Sequence, residues 1–142
     1  MNKSKIIVLV GGCFDFLHFG HISFLKKAKE QGDYLVVALE SDESVRRMKG
    51  ETRPIHTQQQ RKKMLESLRC VDEVIALAPT HGDRDYYELV RKVKPSVIAI
   101  TQGDPHKFKK KEQADEVGAT LLEIPYIHTP STSQLAKLLG LE

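Results

Sequence analysis

Along the chain, short apolar runs alternate with stretches whose apolar residues recur every three or four positions. Ile6–Val10, Tyr34–Leu39 ("YLVVAL"), Glu73–Leu77, Val97–Ile100 and Thr120–Ile124 are rich in β-branched residues and nearly continuous in apolar character. Runs of this kind predict strands covered on both faces. Between them, "HISFLKKAKEQG" places Ile22, Leu25 and Ala28 at helical spacing, and Gly32 closes the helix. Thr57 and Gln60 form a capping box ahead of "RKKMLESL". Tyr86–Val93 and Phe108–Val117 read as further helices, and Ser131 or Thr132 caps a last one, "SQLAKLLG". Strand–helix alternation predicts an α/β fold: a Rossmann-like doubly wound parallel sheet of about five strands, with helices on both faces. A chain of 142 residues fits one domain, 1–142. Ligands of such sheets bind outside the carboxyl ends of the strands, where the winding direction switches.

Composition narrows the class. At 40% hydrophobic and 29% charged residues, the chain reads as an ordinary soluble globular protein. A net charge of +3 suits anionic small molecules and is too small to indicate nucleic acid. Cys13 and Cys70 are far apart and no Cys-x-x-Cys occurs, so neither a zinc ribbon nor a disulfide framework is indicated. The apolar run near the N-terminus is too short for a signal peptide, and no segment approaches the ~18 apolar residues of a membrane helix. A cytoplasmic protein with no membrane association is expected. The run "HKFKKKE" (His106–Glu112) reads first as a solvated helix start and second as a phosphate-facing patch.

The richest stretch is "VGGCFDFLHFGH", Val10–His21. Gly11 and Gly12 end the first strand, where glycine permits a sharp turn and close approach of a ligand. Amides at the start of the helix that follows suit a phosphate. His18 and His21 fall one helical turn apart on one face, and Gly20 between them leaves room against the backbone. An anion site with two imidazoles as hydrogen-bond donors is the leading reading. A zinc helix more often spaces its histidines i, i+4 and needs a third ligand. A structural histidine pair is the plain alternative. The stretch matches neither G-x-G-x-x-G nor a P-loop.

These residues carry a resemblance. "GCFDFLHFGH" resembles the G-x-F-D and H-x-G-H signatures of the cytidylyltransferase-like nucleotidyltransferases. "SDESVRRMKGETRPI" (Ser41–Ile55) resembles the family's loop that carries a catalytic lysine, here Lys49. "QQR" ending at Arg61, "GD" at Gly103–Asp104 and "STS" at Ser131–Ser133 match later motifs in order. The resemblance implies transfer of a nucleoside monophosphate from an NTP to a phosphorylated small-molecule acceptor, with release of pyrophosphate. It implies that His18, His21 and Lys49 act on the triphosphate, Lys49 from a mobile lid. Gly12, Cys13, Phe14, Asp15, Gly20, Gly103, Asp104, Tyr126, Ser131, Thr132 and Ser133 would contact the nucleotide. Among these, Asp104 is placed to read ribose hydroxyls, and the Ser131–Ser133 turn to hold the β- or γ-phosphate. Arg53 and Arg61 would clamp a phosphate or the acceptor. Asp15 either orients backbone or a histidine, or stabilises its own turn. Cys13, often Thr or Val in the family, reads as a small buried residue and not a nucleophile. The resemblance further implies Mg²⁺ carried with the NTP, no dedicated metal ligand, and a homodimer.

Nucleotide and acceptor are read from smaller features. "RCVDEVI" (Arg69–Ile75) resembles a stretch of the glycerol-3-phosphate and phosphocholine cytidylyltransferases. Against CTP, Tyr126 stands where those enzymes carry an arginine, and Thr129 where they carry a glycine. Tyr126 either stacks on a base or packs. Ser41–Leu68 most resembles the adenylyltransferase domain that activates heptose 1-phosphate for lipopolysaccharide core, apart from Thr101, where that group has a lysine. Archaeal FAD synthetases share much of the pattern. ATP is therefore favoured, with a sugar 1-phosphate as first acceptor and FMN or glycerol 3-phosphate next. A nucleotide-binding sensor without catalysis is the non-enzymatic alternative.

Overall fold

The structure, a computed structural model, describes residues 5–79, 82–127 and 132–140. Five strands, β1 (Ile7–Gly12), β2 (Tyr34–Leu39), β3 (Glu73–Ala76), β4 (Val97–Thr101) and β5 (Thr120–Ile124), pair in the order β3-β2-β1-β4-β5. Every pairing is parallel. The order reverses at β1, so the switch point lies between β1 and β4, at the end where Gly11, Gly12 and Thr101 emerge.

Side-chain alternation along the strands builds two cores. Val8 and Val10 of β1, with Leu35, Val37 and Leu39 of β2, face one way. There they meet Leu25 and Ala28 of α1 (Phe19–Glu30) and Leu65 of α3 (Gln58–Glu66). Leu9, Val36, Ala38 and Ile98 face the other way, against Val90 of α4 (Asp83–Val93) and Ala114 of α5 (Lys107–Val117). Both faces are covered, which is why the strands read as continuous apolar runs instead of alternating ones.

Helix boundaries follow local chemistry. Thr57 and Gln60 make the expected reciprocal cap of α3. Gly118, at φ 72, closes α5 in the left-handed conformation glycine tolerates. One expectation is corrected. The segment read as a lid loop is largely a helix, α2 (Asp42–Lys49), capped by the Ser41 side chain, with Lys49 its last residue. The final helix, α6 (Thr132–Leu138), has Thr132 as its first helical residue, and the other expected cap, Ser131, lies outside the described residues. Among the described residues, no helix is long and apolar enough to cross a membrane.

Candidate active site

The β1–α1 connection makes its turn unexpectedly. Gly11 and Gly12 remain in the extended strand, paired with Ala38 and Leu39. The reversal falls on Phe14 and Phe16, at φ 44 and 57, a region costly for residues with a Cβ and common where a site over-determines its backbone. The glycines supply space. A Cβ at Gly11 would overlap the Tyr86 hydroxyl, and one at Gly12 would lie 2.9 Å from the Phe14 ring. Phe14 is buried, and its ring centroid is 5.5 Å from that of His21. It therefore buttresses the histidine.

His18 is the N-cap of α1 and His21 its third residue, and the two cap the helix reciprocally. His18 Nδ1 accepts from the Gly20 amide at 3.0 Å, and His21 Nδ1 accepts from the His18 amide at 3.3 Å. An accepting Nδ1 carries no proton, so each ring holds its hydrogen on Nε2. The rings lie 4.0 Å apart, centroid to centroid. Burial pushes the His18 pKa below its ordinary value. Burial also drives His21 down to about 3, with the charges of His18 and Lys49 adding to the effect. Both imidazoles are thus neutral at pH 7, each with one N–H left for the cavity it lines.

That cavity, of about 410 Å³, opens at the switch point. His18, Gly20, His21, Lys49, Asp104 and Tyr126 line it, as do Gly12 and Cys13. Lys49 enters from the end of α2, and its charge is felt at both His21 and Cys13. Burial raises the Cys13 thiol above its usual range despite Lys49, which suits an inert small side chain. Asp104 follows β4 beside Gly103, itself at φ 86. Its carboxylate accepts from the His106 amide at 2.7 Å and from Lys110 at 2.8 Å. A carboxylate has about four acceptor positions, so capacity remains for a ribose hydroxyl.

Asp15 and the two arginines are held within the protein. Asp15 is 1% exposed and accepts from Arg53 Nε at 2.8 Å and from the amides of Ile55 and His56 at 2.7 and 3.0 Å. Burial alone would raise its pKa, but the Arg53 hydrogen bond and the two amides outweigh it and hold the carboxyl below the usual range. Asp15 therefore anchors the segment that follows Lys49 to the β1 turn, the backbone-orienting role among its sequence readings, and it also borders the cavity. Arg53 is also buried, though it borders the cavity. Arg61 corrects the sequence reading outright: it is fully buried and clamps the protein itself. Its guanidinium donates to the carbonyls of His56, Cys13 and Glu40 and to Asp42 Oδ1. Four of its five N–H groups are engaged within the protein, and Arg61 lines neither this cavity nor the one that adjoins it. Ser131 lies outside the described residues, as do the side chains of Thr132 and Ser133.

A second cavity, of about 540 Å³, shares Gly11, Gly12, Cys13, Thr101, Asp104, Lys110 and Tyr126 with the first. It extends toward α4 and α5, where Tyr86 and Gln113 line it. Neither residue was singled out from sequence. A glycine beneath an aromatic residue four helices away leaves no spacing signal.

The sequence profile of the cytidylyltransferase-like family matches residues 9–131. The bifunctional protein HldE of Wolinella succinogenes is 40% identical over 136 residues, 96% of this chain and 27% of HldE, so the chain spans a minor part of that relative. FAD synthase of Thermococcus kodakarensis is 40% identical over 141 residues, covering 97% of this chain and 92% of the synthase. The lipopolysaccharide core biosynthesis protein from Thermoplasma volcanium superposes with a TM-score of 0.72 at 28% identity, over 89% of this chain and 99% of that one. A pantoate-beta-alanine ligase from Francisella tularensis shares the fold alone, with a TM-score of 0.66 at 18% identity over 96% of this chain and 67% of the ligase. With the H-x-G-H pair at the switch point and the profile spanning β1 to the last turn, the chain belongs to the cytidylyltransferase-like family of nucleotidyltransferases.

Proposed function

We propose that the chain transfers AMP from ATP to the phosphate of a small acceptor, a sugar 1-phosphate first, and releases pyrophosphate. The observation that supports this reading is the histidine pair: two neutral Nε2–H donors and the Lys49 ammonium on one cavity that opens into a second. An oxygen of the acceptor phosphate attacks the α-phosphorus. The bond from that phosphorus to the bridging oxygen of the β-phosphate breaks, and pyrophosphate leaves with the electron pair. Negative charge grows on the α-phosphoryl and bridging oxygens, where preorganised N–H donors and a lysine stabilise it most. Neutral imidazoles donate without losing their helix-capping bonds, since protonation at Nδ1 would break them. Lys49 follows the substrate as a point charge on a helix end, next to Gly50 at φ 108.

Mg²⁺ would enter with the triphosphate and screen its charge. Among the described residues no group of three or more His, Cys, Asp or Glu is placed to hold a metal ion, and the carboxylates bordering the first cavity, Asp15 and Asp104, are engaged by Arg53 and Lys110.

ATP is favoured over CTP by Tyr126, half exposed on the cavity wall where the cytidylyltransferases carry an arginine. A second acceptor, FMN, is supported by the identity with FAD synthase, since FAD is FMN plus one AMP. The test is thermal stabilisation by ATP and by CTP, each with Mg²⁺ at equal concentration, followed by pyrophosphate release with each acceptor. At 100-fold excess over Kd a ligand adds about 2.7 kcal/mol. A shift selective for ATP is expected. A shift selective for CTP would transfer the assignment to glycerol 3-phosphate and related headgroups. Nucleotide binding with no pyrophosphate from any acceptor would leave a sensor.

A further inference from the structure

We infer that Gln113 is a specificity-determining residue for the acceptor, its side-chain oxygen taking a hydrogen bond from a donor group at the acceptor's non-phosphate end. This deepens the nucleotidyl-transfer reading and rests on it. Gln113 is 4% exposed, on α5, and lines the second cavity. Its Oε1 is buried and has no hydrogen-bond partner among the described residues. The neighbouring Ala114 is fully buried in the core beneath the sheet, which fixes this turn of the helix. A buried amide oxygen left unpaired is costly, and native proteins rarely carry one without a use. Asp104 on the same cavity, by contrast, is held by Lys110 and the His106 amide.

The position of the amide suits that use. The two cavities share Gly11, Gly12 and Cys13 at the end of β1. The acceptor phosphate must meet the α-phosphorus at that shared wall, so the remainder of the acceptor extends along the second cavity toward α5. A carboxamide there reads a donor, and its own NH₂ can return a bond to an adjacent acceptor atom. A sugar hydroxyl and a ring N–H of a flavin both supply such a donor. An aliphatic end without one leaves the amide orphaned, which is how buried polar groups reject an analogue.

The test uses Gln113→Met, similar in length and without the amide, and Gln113→Glu, which keeps an acceptor oxygen in place. KM for ATP, KM for acceptor, kcat and the melting temperature are measured with FMN, heptose 1-phosphate and glycerol 3-phosphate as separate acceptors. For whichever is turned over, Gln113→Met is expected to raise the acceptor KM about tenfold or more. The ATP KM is expected to stay within about twofold and the unliganded melting temperature to hold or rise, since the orphaned oxygen is gone. Gln113→Glu should recover part of the acceptor affinity. An acceptor KM unchanged by Gln113→Met, or an ATP KM that moves with it, overturns the inference. If wild-type protein turns over none of the three, the transfer reading fails separately. The thermal shift each acceptor causes then decides Gln113: a smaller shift in Gln113→Met supports it, and an equal shift, or none on wild type, overturns it.

Discussion

His18 and His21 each commit one ring nitrogen to the backbone and keep the other for chemistry. This division makes their structural and chemical roles separable by mutation. Asparagine at position 18 can still cap α1, because a short side-chain oxygen suffices there. It lacks the Nε2–H. His18→Asn is therefore expected to cost no more than about 1 kcal/mol of stability while lowering turnover about 100-fold or more. Circular dichroism, urea melts and pyrophosphate release measure the two effects side by side, and turnover near that of wild type would remove the mechanism. The pH dependence of stability is a second test at the same scale. His21 has its pKa depressed to about 3 in the folded chain, against about 6.5 in the unfolded one. Between these values the unfolded state binds more protons, so folding stability is fully present above pH ~6.5 and declines as pH falls toward 3. One such group contributes a slope of at most about 1.4 kcal/mol per pH unit. Urea unfolding at several pH values from 7 to 5 should show a decline that is shallower in His21→Gln. Asp15, with its pKa depressed, loses its contribution only below the ordinary carboxylate range of about 4, outside the pH 7 to 5 range of this titration.

Between the strands and the site lie connecting elements, and here the sequence was less legible. Strands β2 and β5 fall at the residues their apolar runs predict, since two covered faces leave little polar interruption. α2 escaped because only Val45 and Met48 among Asp42–Lys49 are apolar, too few to register a period. Its other signals were present: the Ser41 cap, Asp42 and Glu43 in the first turn, and Arg46, Arg47 and Lys49 in the last. Arg61 shows a different limit. An arginine at a helix start in a phosphate-handling sequence looks like a ligand clamp, and only tertiary structure reveals that carbonyls from three separate segments already surround it. Gln113 and Tyr86 carry no motif at all, and become visible only when α4 and α5 meet the end of β1. The strut role of Arg61 is testable. Arg61→Met orphans the carbonyls of Cys13, Glu40 and His56 together with Asp42, and is expected to cost about 3 kcal/mol or more. The protein that remains folded should bind ATP with little change. A substrate clamp would give the reverse, weak ATP binding at undiminished stability.

At the scale of the whole molecule, the sheet order places two cavities against one wall. Gly11 and Gly12 of β1 and Thr101 of β4 border both, one cavity running toward α1 and the other toward α4 and α5. Such a division follows from double winding, which sends helices to opposite faces from a single point of reversal. Under the proposed transfer, ATP and acceptor would each occupy one cavity and meet at the strand ends, and the joined product would span both. Binding free energies of linked groups combine, because the second group no longer loses its own translational freedom. At equal concentration, a joined product such as FAD or an ADP-sugar should raise the melting temperature more than its unlinked halves do separately. Stabilisation that depends on the product fitting both cavities should also shrink in Gln113→Met and, independently, in Lys49→Ala. Differential scanning calorimetry with FAD, an ADP-sugar, FMN, the sugar phosphate and AMP checks this directly. A product shift no larger than that of AMP alone would mean that only the first cavity is occupied. The acceptor would then have to reach the α-phosphorus from solvent, without the second cavity.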